Sequence, residues 1–354
     1  MAVATPAIEA LAGRFACVRV TDLRDFDLAR YPLDFELTFL AVTATADGRI
    51  LHRYGGRDPR DPEAFLSLAS FEAFLAASLE TFKSSPPPTA GAKAPEPRTI
   101  EASPSFRRKD AEQRLDCIHC HNVGDFRHVD DVASGKWRPE DRFRFPDLAR
   151  VGFEVERDRQ AVVATVVASG PAAKAGLQAG DVIAAAGGAQ IATRADLQWQ
   201  LESAPATATR LRLDVMRDGK SVPLTLALAD RWKECDAREY AWRPSKWNLE
   251  PSPGFGGKAL DAAQKRELGL PEEAWAMRVG YLVTWGERAA TGRSAQSAGL
   301  KEGDVVLSVA GESKFDHEEH FQAWFRFTQR ARTKVEIVVL RDGKRRTLTM
   351  KVIE

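Results

Sequence analysis

The stretch Ser169-Gly-Pro-Ala-Ala-Lys-Ala-Gly-Leu-Gln-Ala-Gly-Asp-Val-Ile183 returns later as Ser294-Ala-Gln-Ser-Ala-Gly-Leu-Lys-Glu-Gly-Asp-Val-Val306. Ala175-Gly176-Leu177 recurs as Ala298-Gly299-Leu300, and Gly180-Asp181-Val182 as Gly303-Asp304-Val305. Farther on, Arg217-Asp218-Gly219-Lys220 recurs as Arg341-Asp342-Gly343-Lys344. The offset is 123 residues for the first two matches and 124 for the third, which marks a duplicated domain.

The local chemistry predicts the unit that is duplicated. Ala172, Ala173, Ala175 and Leu177 suit a short, closely packed helix. Gly180 fits a backbone at positive φ before a buried strand that starts at Val182 and Ile183. Asp218-Gly219 lies between the alternating runs 211–216 and 221–228, which is a hairpin signal. Each repeat therefore reads as a small β-rich domain with short helices. On the residues Pro171-Ala172-Ala173 through Ile183, the repeat resembles the PDZ domains attached to periplasmic HtrA-type serine proteases. The resemblance covers roughly the last two hundred residues.

With 354 residues the chain has room for two or three domains. Its 51 basic and 50 acidic residues give no polyanion-binding signature. No run of eighteen apolar residues and no secretory leader is visible. Four cysteines are too few for a disulfide scaffold.

Ahead of the repeats, residues 6–14 read as the end of a helix and Phe15–Val20 as a strand holding a buried Cys17. Leu37–Thr45 reads as a strand turned by Ala46-Asp47-Gly48 into a hairpin with Arg49–Tyr54. Phe71, Phe74, Leu75 and Leu79 mark an amphipathic helix. Helix, strand, hairpin and helix follow the order of the second half of a thioredoxin fold, which this part resembles. The Pro-rich stretch 83–105 reads as an extended, mobile linker.

The predicted organisation is α+β multidomain: a partial thioredoxin-like domain at 1–82, the linker 83–105, a Cys-x-x-Cys-His segment at 106–149, a PDZ domain at 150–232, a connector at 233–248 pinned by Trp242 and Trp247, and a second PDZ domain at 249–354. That order resembles a bacterial family of thioredoxin-like/PDZ (seleno)proteins. The resemblance implies a redox motif upstream of Met1, where a selenocysteine read as a stop codon would displace the assigned start.

Two groups of residues carry chemistry. Cys117-Ile118-His119-Cys120-His121 matches the covalent haem c attachment pattern, with His121 as proximal ligand and His128 as the sixth. Cys117, Cys120 and His121 equally suit zinc, a local disulfide or a redox dithiol. The second group lines the PDZ grooves. Val151, Gly152 and Phe153 should form the carboxylate-holding loop of the first, with Leu197 and Leu201 facing it from a helix opened by Thr193. Gly254, Phe255 and Gly256 should form that loop in the second. His317 and His320 read as solvated helix residues.

Neither Gly-x-Ser-x-Gly nor Gly-Asp-Ser-Gly-Gly occurs. The expected function is thus a non-proteolytic protein that binds peptides or protein C-termini, outside the cytoplasm, beside a redox-type N-terminal region. The alternative is a thiol or selenol oxidoreductase, or a haem electron carrier, whose PDZ domains recruit a redox partner.

Overall fold

The computed structural model describes residues 5–32, 34–58, 61–86 and 96–353. The chain divides after Cys235 into two compact units.

The first unit opens with helix α1 (Pro6–Ala12), whose Thr5 hydroxyl accepts the Ile8 N–H. Strands β1 (Ala41–Ala44) and β2 (Ile50–Tyr54) form an antiparallel hairpin. Helix α2 (Leu68–Ser84) follows, with Phe74 and Leu75 packed on Tyr54 and Ile8. Helices α3 (Pro104–Glu112) and α4 (Cys120–Ala133) enclose Leu23, Ile100, Phe106, Ile118 and Val123.

Three expectations for this region change. Phe15–Val20 forms no strand: Val18 and Val20 are exposed, as is Cys17, whose thiol reaches the Ala12 carbonyl at 3.6 Å. Alternation alone does not make a strand without a sheet to join. The predicted strand 37–45 shrinks to β1 for the same reason, since only Ala41–Ala44 meet a partner. The stretch 83–105 is not all linker. Lys83 and Ser84 end α2, Ile100 is buried, and Pro104 is the first residue of α3, where its missing N–H costs nothing. Pro87, Pro88 and Pro95 lie outside the described residues.

The remainder of the first unit pairs β3 (Phe153–Val155) with β4 (Val163–Val166). It also holds a four-stranded antiparallel sheet built from β5 (Val182–Ala186), β6 (Ala189–Gln190), β7 (Thr209–Arg217) and β8 (Lys220–Leu228), in the order β6-β5-β7-β8. Helices α5 (Pro171–Lys174) and α6 (Arg194–Ser203) pack on this framework. The β7–β8 turn has the expected form: Asp218 and Gly219 both take positive φ, 49° and 74°.

The second unit, Asp236–Glu354, begins with α7 (Ala237–Tyr240). Strands β9 (Phe255–Ala259), β10 (Met277–Leu282), β11 (Val305–Val309), β12 (Lys334–Arg341) and β13 (Lys344–Lys351) form one antiparallel sheet, with β9 at an edge. Helices α8 (Ala262–Glu267), α9 (Ala289–Ser297) and α10 (Glu318–Thr328) complete it. His317 and His320 are not simply solvated. His317 caps α10 by accepting the His320 N–H, and His320 is itself buried.

The repeated tripeptides meet in space, and their meeting explains the repeat. In the first unit the Arg217 guanidinium donates to both carboxylate oxygens of Asp181, each at 2.7 Å, and to the Gly176 carbonyl at 2.7 Å. In the second, Arg341 donates to both oxygens of Asp304 and to the Gly299 carbonyl, each at 2.6 Å. Each Asp also accepts the backbone N–H three residues before it, Gln178 or Lys301. One planar fork thus ties the end of a helix, the entry to a strand and the start of a hairpin turn. Asp181 and Asp304 are almost fully buried. The hydrogen bonds from Arg217 hold the Asp181 carboxyl below its usual pKa.

Candidate functional site

The candidate site lies where α6 meets β3. Its chain entry is the 3-10 turn Leu148–Val151, which ends at Gly152 with φ 84°. A Cβ on Gly152 would lie 2.9 Å from the Gly170 Cα, so only glycine fits here. The Gly152 carbonyl accepts the Val167 N–H at 2.8 Å, which fixes one side of the strand and leaves the other facing α6. Val151, Phe153, Leu197 and Leu201 are buried together in one core. The four expected apolar lining residues are therefore brought together, inside the core of the unit. Helix α6 opens where expected, with the Thr193 hydroxyl accepting the Asp196 N–H at 3.1 Å.

Sequence reasoning missed the group that dominates the site. Arg194, the first residue of α6, is completely buried. Its Nε and Nη2 donate to the two oxygens of Glu154 on β3 at 3.1 Å, and Nη2 also donates to Asp147 at 2.6 Å. The guanidinium lies 4.2 Å over the Phe65 ring. Burial opposes its charge, but Asp147 and Glu154 outweigh that and hold its pKa above the ordinary arginine value. In the last turn of α6, Glu202 accepts the Phe145 N–H at 2.8 Å and the Arg144 Nε–H at 3.1 Å. The helix therefore carries a bridge to the strand at its start and holds the preceding segment at its end. No periodicity signals such a bridge, since its partners lie 40 and 47 residues away in sequence.

The hairpin β1–β2 reaches the same helix. The buried His52 Nδ1 lies 2.7 Å from Asp196 and its Nε2 lies 2.8 Å from the Thr81 hydroxyl. Asp196 also accepts the Arg53 N–H at 2.8 Å and the Ala192 N–H at 3.1 Å. Burial pushes the Arg53 guanidinium, 4.2 Å over the Trp199 ring, down to about 10. A cleft of about 420 Å³ opens beside this network, walled by His52, Ala77, Thr81, Ala161 and Ile191.

In the second unit Gly254 takes φ 75° and a Cβ there would overlap the Thr291 backbone at 2.3 Å. Gly254, Phe255 and Gly256 enter β9 opposite α10, as expected of a strand flanking a groove. The outer edge of β9 is met by side chains of α10: Glu318 accepts the Gly257 N–H at 3.0 Å, and Gln322 donates to the Phe255 carbonyl at 2.9 Å.

The Cys-x-x-Cys-His residues are placed differently from the expectation. Cys117 and Cys120 are both free thiols; Cys117 is exposed and Cys120 is the first residue of α4. Burial pushes the Cys120 thiol above its usual pKa. His121 and His128 stand two turns apart on one continuous helix, about 10 Å along its axis. They do not face each other across one iron, and the His128 ring instead packs edge-on against Trp137 at 5.3 Å. Among the described residues no group of three His, Cys, Asp or Glu is placed to hold a metal ion.

Comparison with known proteins adds to this. A protein described as "Probable periplasmic serine endoprotease DegP-like", from Pseudomonas savastanoi pv. phaseolicola, is 31% identical over 217 residues, 59% of this chain and 40% of that protein. "Periplasmic serine endoprotease DegP" of Escherichia coli is 30% identical over 163 residues, 46% of this chain and 29% of that protein. The chain spans less than half the length of these relatives. A solved structure described as "HtrA-type protease AlgW with decapeptide" is similar over 49% of this chain and 54% of that one, at 18% identity and a TM-score of 0.25.

These relatives overturn the expectation of a non-proteolytic binding protein. These curated relatives are described as serine endoproteases. They are periplasmic by description, in keeping with a place outside the cytoplasm. Among the described residues no helix is long and apolar enough to cross a membrane. A family model described as PDZ domain matches residues 149–228, so the chain contains a PDZ domain, and that range includes β3 and α6.

Proposed function

We propose that the PDZ domain at 149–228 receives peptide ends for serine-endoprotease-type proteolysis outside the cytoplasm. The observation that carries this reading is the match of that domain together with its geometry: a glycine-gated strand, β3, laid beside α6 over a shared apolar core. An extended peptide adds to such a strand edge through its main chain, and an apolar side chain enters between strand and helix. Relatives that are serine endoproteases supply the context in which peptide ends are handled. We read Asp236–Glu354 as a second domain of the same kind, because the Arg217–Asp181 and Arg341–Asp304 forks are duplicates in sequence and in contacts.

The Arg194–Glu154 bridge ties α6 to β3, so a peptide that lies between them along their whole length must part it. The test uses the full chain and fluorescein-labelled decapeptides ending in apolar residues, each with a free and an amidated C-terminus. Fluorescence anisotropy should show binding of the free acids at least tenfold tighter than the amides. Equal binding of both forms, or none of either, rejects the reading.

A further inference from the structure

The second groove differs from the first in one respect that decides whether it can be used. Strand β9 is an edge strand, so one row of its backbone groups has no strand partner. The inward row is fixed by the Val283 N–H donating to the Gly254 carbonyl at 2.8 Å. The outward row, facing α10, presents the Phe255 carbonyl and the Gly257 N–H. Those are the acceptor and the donor that an added peptide strand needs. Both are already engaged, by Gln322 at 2.9 Å and by Glu318 at 3.0 Å.

The engagement is built in. Gln322 is buried, and Arg326 donates to its side-chain oxygen at 2.6 Å, which leaves the amide nitrogen to meet the Phe255 carbonyl. A Cβ on Gly256 would lie 2.8 Å from the Glu318 carboxylate and 2.3 Å from the Tyr281 hydroxyl, so glycine at 256 is what gives Glu318 room. Burial raises the pKa of Glu318, with the Gly257 hydrogen bond opposing. In the first groove the corresponding Val155 N–H is accepted at 2.9 Å by Glu154 of its own strand, which Arg194 holds, and among the described residues no α6 side chain meets the Phe153 carbonyl, so there the helix engages β3 only through a side chain.

We propose that the second groove is latched by its own helix, with Glu318 and Gln322 standing in for a peptide strand on β9, so that a peptide binds there only after they are released. This rests on the reading of Asp236–Glu354 as a second peptide-binding domain, and the test separates the two. The first arm needs no peptide. Amide hydrogen exchange in the full chain should find Gly257 protected. Glu318→Ala should speed its exchange at least tenfold, whereas Glu318→Gln, which keeps an acceptor oxygen, should not. The Val279 N–H, bonded to the Asp304 carbonyl at 2.8 Å, reports whether the sheet remains folded in each variant. Equal Gly257 exchange in wild type and Glu318→Ala, with Val279 still protected, overturns the latch.

The second arm counts sites with a decapeptide that has a free C-terminus. The wild type should bind one equivalent and the double variant Glu318→Ala, Gln322→Ala two. Two equivalents on the wild type, or one on the double variant, overturn the proposal. If no protein binds peptide yet Gly257 is freed in Glu318→Ala, the latch stands and the peptide-binding reading falls.

Discussion

Asp181 and Arg217 show how a conserved-looking string can be a structural device. The repeated Ala-Gly-Leu, Gly-Asp-Val and Arg-Asp-Gly-Lys are three ends of one fork, so the repeat was legible in sequence while its cause was not. The Gly176 carbonyl and the Asp181 carboxylate become neighbours only once the sheet closes. Asp181→Ala leaves the partly buried Arg217 without its counter-ion and should destabilise the first unit by about 3 kcal/mol, measured by urea unfolding. The pH dependence follows from the lowered pKa of Asp181. In the unfolded chain this carboxyl takes up its proton near 3.8, but in the folded chain only at lower pH. Its contribution is complete above the unfolded value and is lost as pH falls through the folded one. The gap between wild type and Asp181→Ala should be constant near neutral pH and shrink in acid; a gap that widens in acid contradicts the assignment.

At the scale of elements, alternation around Asp218-Gly219 located the hairpin β7–β8 and the Thr193 cap located the start of α6, because both are set by local backbone chemistry, whereas the glycine at 152 was singled out only by resemblance. Periodicity failed for Phe15–Val20, whose alternation has no sheet to meet. It could not reveal Arg194, since a buried arginine on a helix looks the same in sequence as an exposed one. The bridge from Arg194 to Asp147 and Glu154 ties helix, strand and the preceding turn together. Asp147→Ala removes the partly exposed arm of that bridge and should make α6 and β3 easier to part. Decapeptide affinity should rise by about fivefold, equivalent to about 1 kcal/mol for such a pair. A weaker complex would mean that Asp147 helps to hold the peptide.

Across the whole molecule, the repeated motifs were readable from their offset, whereas the role of the N-terminal hairpin was not. His52 and Asp196 are 144 residues apart in sequence, yet they join β2 to α6 within the first unit. His52→Leu leaves the buried Asp196 short of one donor and should weaken that junction by about 1–3 kcal/mol. Trypsin should then cut faster after Arg53, with cleavage inside Asp236–Glu354 unchanged; an unaltered rate at Arg53 contradicts the junction. The functional assignment turned on comparison rather than on pattern. Neither protease serine motif occurs in the sequence, but its relatives are serine endoproteases.

Peptide-end recognition by the PDZ domain rests on the β3 edge, and amide hydrogen exchange of the full chain with a saturating free-acid decapeptide addresses that edge directly. Binding as an added strand should slow exchange in Gly152–Val155 and along α6, and the amidated peptide should leave both unchanged. Protection elsewhere with none on β3, or the same protection by the amidated peptide, would contradict peptide-end recognition by this domain.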